Sequence, residues 1–162
     1  MRSTGTLVLL IVLLLVGFAG CAGCSTYNSL VAQDEQVERA WADVENQYQR
    51  RADLIPNLVR TVQGAADFES ETLQEVIAAR SRATSIQLSA DDLDDPDALR
   101  RYQEAQTALG ASLGRLLAVA EAYPTLQANQ GFLQLQDQLE GTENRIATAR
   151  RDYNAEVGAL NG

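Results

Sequence analysis

The sequence predicts an all-α fold, an up-and-down antiparallel four-helix bundle preceded by an N-terminal hydrophobic segment. Apolar residues recur at alternating steps of three and four over four long segments, which is the period of an amphipathic helix. Aromatic residues make up only 6% of the chain and there are three prolines, a composition that favours helices over strands. The 162 residues suffice for one domain. We expect a leader over residues 1–24 and a bundle over residues 25–162.

The leader is a separate unit. Arg2 precedes an apolar run over residues 6–19, whose length lies between that of a secretory h-region and that of a membrane span. Phe18-Ala19-Gly20-Cys21 also resembles a bacterial lipobox, in which Cys21 would be acylated. Three interpretations stay open: a lipoprotein signal with lipidation at Cys21, an uncleaved signal anchor, and secretion without an anchor. Because Arg2 is the only charge before the run, the positive-inside rule places an anchored domain outside the cytoplasm.

The first helix is predicted from about Tyr27 to Arg51, and Pro56 is predicted to mark a turn. Proline disfavours helix at the preceding residue, and Asp53 can cap the helix that follows. The alternative is one long helix kinked at Pro56, with the turn near Gly64 and Phe68. The first apolar stripe contains Tyr27, Leu30, Val37, Trp41, Val44 and Tyr48, and the second contains Ile55, Leu58, Val62, Ala66, Leu73, Val76 and Ile77.

An aspartate-rich loop over residues 84–95 separates the second helix from the third. Asp95 followed by Pro96 predicts an N-cap and a first helical residue. The loop lacks the glycine and the distal glutamate of a calcium-binding EF-hand, so we expect no metal site there. Tyr123-Pro124 is predicted to end the third helix. The third stripe contains Leu99, Tyr102, Gln106, Leu109, Leu113, Leu116, Ala120 and Tyr123, and the fourth contains Phe132, Leu135, Leu139, Ile146, Ala149, Tyr153 and Leu160.

Several classes of function are disfavoured by composition. The chain contains no histidine, which removes Ser-His-Asp and Cys-His catalysis and histidine-ligated metal sites. Its net charge of −9 makes nucleic acid an unfavourable partner, since nucleic acid is a polyanion. No paired carboxylates point to a hydrolytic cleft. We therefore expect no enzymatic activity, no cofactor and no nucleic-acid partner.

In an up-and-down bundle that stands on its N-terminus, a turn at residues 51–56 and a turn at residues 123–129 would meet at the end far from the membrane. Arginine and tyrosine are enriched where proteins bind proteins. The hypothesis is that this tip docks a protein partner. The alternative is that Arg50 and Arg51 only pair with Asp53 or Glu45 and cap helix ends. The candidate partner-binding residues are Gln47, Arg50, Arg51, Asp53, Asn57, Tyr123 and Asn129.

Several blocks of sequence, in order, resemble the LemA family over residues 25–160. They include Tyr27-Asn28-Ser29-Leu30-Val31, Asp34-Glu35-Gln36-Val37 with Trp41, the stretch from Val44 to Val59, Glu75-Val76-Ile77 with Ala79-Arg80, Ala122-Tyr123-Pro124 with Leu126, and Glu143-Asn144-Arg145-Ile146 with Ala149-Arg150-Arg151-Asp152-Tyr153-Asn154. The family pattern usually continues to an aromatic and proline-containing tail, whereas this sequence stops at Leu160-Asn161-Gly162.

The resemblance implies a bacterial membrane-associated helical bundle with an N-terminal anchor and no known enzymatic activity. Some family members are thought to act beside a membrane-bound zinc metalloprotease, which makes such a protease a candidate partner. An anchored scaffold or partner-binding module at the cell envelope is the function we expect. The alternative is an extracytoplasmic bundle that senses a small ligand held between its helices.

Overall fold

The computed structural model describes residues 2–65, 68–89, 92–93 and 95–161, with side chains from Tyr27 onward. These residues form five helices and no strand, which confirms the all-α class for this part of the chain. The helices are α1 (Arg2–Gln63), α2 (Ser70–Ser85), α3 (Pro96–Ala120), α4 (Pro124–Gln127) and α5 (Gln130–Leu160).

The predictions for the leader, including lipidation of Cys21, lie outside the described side chains. In the portion that is described from Tyr27 to Asn161, no helical stretch is both long and apolar enough to cross a membrane.

The predicted turn at Pro56 is wrong, because α1 continues through this residue to Gln63. Proline has no N–H, so the carbonyl of Ala52 one turn earlier loses its usual helical donor. The Nε of Arg80, on α2, donates to that carbonyl oxygen at 2.8 Å. The neighbouring helix therefore satisfies a backbone group that the proline leaves free. The chain turns between Gln63 and Ser70 instead, as in the long-helix alternative.

Helices α1 and α5 run antiparallel along their length. On α1, the ring of Trp41 lies 5.1 Å from the ring of Tyr153 on α5, measured between centroids. Further along α1, Arg51 meets Glu143 at 2.9 Å. From the first of these contacts to the second, the residue number rises on α1 and falls on α5. The two helices therefore run in opposite directions.

Helices α2 and α3 also run antiparallel. Arg115 on α3 forms an ion pair with Glu75 on α2 at 2.8 Å. Nine residues before Arg115 on α3, the side-chain nitrogen of Gln106 donates to the carbonyl of Ala83, near the end of α2, at 3.4 Å. Asp95 caps α3 by accepting a hydrogen bond from the N–H of Asp97, and Pro96 occupies the first turn, as predicted.

The buried side chains form two clusters. The aliphatic cluster lies toward the α1–α2 turn and contains Ile55, Leu58, Val59, Val62, Leu73, Val76, Ala79, Ala83, Leu109, Leu113, Leu116, Ala120, Leu126, Phe132 and Leu139. The aromatic cluster lies toward the end of α5 and contains Val37, Trp41, Val44, Tyr48, Tyr102, Ile146, Ala149 and Tyr153.

Among the described residues, the apolar positions of the predicted stripes agree with these clusters and the residues packed against them except at three positions, and Ala66 lies outside the described residues. Tyr27 and Leu30 are 68% and 49% exposed, because the described part of α1 extends past the last residues of α5. Ile77 is 47% exposed, on the outer face of α2. Apolar packing along α1 therefore begins at Val37 rather than at Tyr27.

Candidate functional site

A layer of buried polar residues separates the two apolar clusters. Arg51 follows Tyr48 on the stripe of α1, Gln106 follows Tyr102 on α3, and Thr142 follows Leu139 on α5. All three of these polar residues are buried, with Arg51 only 2% exposed. Helices α1, α3 and α5 thus each contribute one polar side chain where the stripe passes from one cluster to the other.

Arg51 is bonded on several sides. Its Nη2 donates to the side-chain oxygen of Gln106 at 2.7 Å and to the backbone carbonyl of the same residue at 2.9 Å. Its Nη1 donates to Glu143 at 2.9 Å. The guanidinium lies 5.1 Å from the ring centroid of Tyr48, a cation–π distance. This arginine joins α1, α3 and α5 and is not available at the surface.

Gly110 provides the space that this arginine occupies. A Cβ built on Gly110 would stand 3.4 Å from the Nη1 of Arg51, which is already contact distance. A side chain larger than alanine would therefore collide with the guanidinium. The space beside Gly110 on α3 is thus occupied by a side chain of α1.

The predicted tip is wrong, because it depended on a turn at Pro56. Gln47, Arg50, Arg51, Asp53 and Asn57 all lie inside α1, well before its end at Gln63. The end of the molecule is formed instead by the α1–α2 turn and α4, where the rings of Phe68 and Tyr123 lie 4.8 Å apart. The structure therefore brings Tyr123 near Asn129, and neither near Arg50.

Two of the candidates have structural roles near α4. Asn129 caps α5 by accepting hydrogen bonds from the N–H groups of Gly131 and Phe132, at 2.9 and 3.2 Å. The ring of Tyr123 packs on Phe68 and on the edge of the aliphatic cluster. These contacts account for both residues through helix capping and packing.

The remaining candidates lie along the outer side of α1. Arg50, Asp53 and Asn57 are exposed, and Gln47 is partly buried. Gln49 donates to Asp53 at 2.8 Å, and Arg60 donates to Asn57. Arg50 belongs to none of the ion pairs found among the described side chains.

A groove of about 520 Å³ runs between α1 and α5 beside these residues. Small residues, Ala40, Gly141 and Ala149, lie among its lining, so the two helices leave space between them. Gln47 lines this groove, and its side-chain oxygen is buried and has no hydrogen-bond donor among the described residues. We name this groove, together with Gln47, Arg50 and Asp53, the α1 face.

A second cavity, of about 360 Å³, opens between α1 and the end of α2. Glu45 and Gln49 line it from α1, and the chain over residues 83–88 lines it from the other side. Burial raises the pKa of the Glu45 carboxyl above its usual value. We name this space the Glu45 cavity.

No group of three or more carboxylate or cysteine ligands suited to a metal ion occurs among the described residues. In the aspartate-rich loop, Asp92 accepts hydrogen bonds from the hydroxyl and the N–H of Ser89, at 2.7 and 2.8 Å. These bonds lower the pKa of Asp92. The described part of the loop is thus held by local turns and a helix cap.

Comparison with known proteins points to one family. The sequence model described as the LemA family matches residues 40–162, a range that contains the polar layer, the α1 face and the Glu45 cavity. Two magnetosome proteins of Paramagnetospirillum magneticum, MamQ 2 and MamQ 1, are each 29% identical over 151 residues. Protein LemA of Metamycoplasma hominis is 24% identical over 134 residues.

Each of these alignments covers 83% of the chain. They cover 56% of the two MamQ proteins and 57% of the LemA protein. The chain therefore spans about half the length of the curated relatives it matches.

Proposed function

Because the chain belongs to the LemA family, we propose that it is a non-enzymatic, membrane-anchored four-helix bundle that acts as a scaffold or partner-binding module at the bacterial cell envelope. The apolar run over residues 6–19, ahead of a polar domain, supports the anchor. The single charge of Arg2 before that run favours an extracytoplasmic domain.

The observation that best supports partner binding is the α1 face. It combines an open groove, the unpaired side-chain oxygen of Gln47 and the exposed side chains of Arg50 and Asp53. A buried acceptor without a donor costs about 1–3 kcal/mol, which a donor on a bound partner would recover. The proposed contact with a partner therefore lies on the side of α1 and not at the end of the molecule.

The partner is proposed to be another envelope protein that presents hydrogen-bond donors to Gln47 and an acidic group to Arg50. A membrane-bound metalloprotease is the first candidate, on the resemblance described above. Arg51 is excluded from this role, since its guanidinium is committed to Gln106 and Glu143.

The test is crosslinking of the full chain in its own membranes, followed by identification of the captured proteins. The Gln47→Ala/Arg50→Ala double variant is expected to lose the main crosslinked partner. Arg82→Ala removes an exposed arginine from α2 and serves as the matched control, which should keep that partner. An identical set of captured proteins from the double variant and the wild type would show that the α1 face is not the contact.

A further inference from the structure

The Glu45 cavity contains a carboxylate without a cationic partner. None of the ion pairs found among the described side chains includes Glu45. The carboxyl is partly buried, and desolvation raises its pKa. A partly buried charge with no counter-ion is costly for the protein alone and is compensated when a cation binds beside it.

The rest of the lining suits the two parts of an organic cation. Amide side chains from Asn46, Gln49 and Gln87 line the same cavity as the carboxylate. Since the nitrogen of Gln49 donates to Asp53, its oxygen remains available as an acceptor. The wall formed by Ile86 and Leu88 is apolar. Carboxylate and amide oxygens accept hydrogen bonds from N–H groups, whereas the apolar wall offers contact to methylene groups.

The nearby arginines do not occupy this position. Arg51 lies behind Gln106 and is paired with Glu143. Arg80 directs its Nε to the carbonyl of Ala52. Neither arginine is among the described residues that line the cavity. Glu45 is the one carboxylate among those residues.

We propose that the Glu45 cavity is a binding site for a small alkylammonium compound, whose charged nitrogen contacts Glu45 and the amide oxygens while its alkyl chain lies against Ile86 and Leu88. The volume of about 360 Å³ is at the lower end for ligand pockets, which fits a compound of a few carbon atoms. This site is separate from the groove of the α1 face, and its occupation does not depend on the proposed partner.

The test uses the full chain and n-butylammonium chloride at constant ionic strength. Trp41 is the only tryptophan of the protein and lies one helical turn before Glu45 on α1, so its fluorescence reports on the surroundings of this carboxylate. We expect a saturable change in fluorescence with a dissociation constant in the millimolar range, the affinity typical of so small a ligand. The uncharged analogue 1-butanol should give no saturable change.

Three variants make the result specific. Glu45→Gln keeps the shape of the side chain and should weaken binding by about tenfold or more. Glu38→Gln removes an exposed carboxylate from the same helix and should bind like the wild type, which controls for the net charge. Thr84→Phe fills the cavity while Glu45 stays in place, and should also abolish binding.

The proposal fails if the wild type shows no saturable response, or if Glu45→Gln and Thr84→Phe bind as tightly as Glu38→Gln. Equal binding of 1-butanol would also overturn it, because the cavity would then recognise an alkyl chain and not a cation. Each of these results is independent of the crosslinking experiment, so the two proposals stand or fall separately.

Discussion

At the residue scale, burial in the aromatic cluster favours the neutral phenols of Tyr48 and Tyr102. Tyr102 lies 5.6 Å from the ring of Trp41 and 5.7 Å from that of Tyr48, between centroids. Burial, together with the nearby carboxylate of Glu45, raises the pKa of Tyr102 to about 12. Burial also raises the pKa of Tyr48. For both tyrosines the loss of hydration outweighs the favourable effect that Arg51 would have on a phenolate.

This pKa shift predicts how stability changes in alkali. Between pH 10 and 12 the unfolded chain releases the proton of Tyr102 while the folded chain retains it. The neutral phenol of Tyr102 thus contributes roughly 2–3 kcal/mol to the free energy of unfolding. This contribution is fully present below pH 10 and is lost as the pH rises through 12. Urea unfolding of Tyr102→Phe at several pH values in this interval should show a smaller decrease than the wild type shows.

Tyr27→Phe is the matched control for this measurement, since Tyr27 is 68% exposed. Its decrease in stability over the same interval should equal that of the wild type. If Tyr102→Phe and Tyr27→Phe gave the same pH dependence, the alkaline loss would have another origin.

At the element scale, the continuity of α1 depends on a contact between helices. The sequence argument was that proline disfavours helix at the preceding residue, and this local argument wrongly placed a turn at Pro56. It could not include Arg80, which lies on another helix and donates to the carbonyl of Ala52. Local preference for a turn was overcome by packing of the helix against the aliphatic cluster and by this one donor.

The dependence of α1 on Arg80 can be measured with a double-mutant cycle. Arg80→Met should destabilise the wild type by about 1–3 kcal/mol, because the carbonyl of Ala52 is left without a donor in a buried position. In a Pro56→Ala background the restored N–H can bond that carbonyl, so the same change should cost about 1–2 kcal/mol less. Chemical unfolding of the four proteins gives the coupling energy.

Arg82→Met provides the control, since Arg82 is an exposed arginine two residues along the same helix. It should show no coupling to Pro56→Ala within about 0.5 kcal/mol. Equal costs of Arg80→Met in both backgrounds would mean that the arginine does not act through the proline.

At the scale of the whole molecule, the polar layer joins two cores of different character. The stripes that the sequence predicted are largely those observed, because the repeat of apolar residues along a helix determines which of its faces is buried. The third predicted stripe contained Gln106, and this polar residue on an apolar stripe was the available indication of a buried network. The sequence could not show that Arg51 pairs with Glu143 on α5. It also could not show that Gly110 leaves space for the guanidinium.

The polar layer predicts that replacing two adjacent arginines, Arg50 and Arg51, has very different effects on the free energy of unfolding. Arg51→Ala leaves Gln106 and Glu143 without their donor and should lower the free energy of unfolding by roughly 2–4 kcal/mol, reduced by solvent at the half-exposed carboxylate of Glu143. Arg50→Ala changes an exposed side chain and should remain within about 0.5 kcal/mol of the wild type. Thermal and urea unfolding of the two variants, measured side by side, decide this. Comparable stability of both would contradict the network.

The bond between Arg80 and Ala52 also specifies the register of the α1–α2 hairpin. The apolar positions of α2 recur every three or four residues, so a shift of one turn would again place small and branched side chains against α1. Such a shift, about 5.4 Å along the axis, would carry Arg80 away from the one carbonyl that Pro56 leaves open. The hydrophobic pattern alone permits several alignments of these two helices, and the proline with its arginine selects one of them.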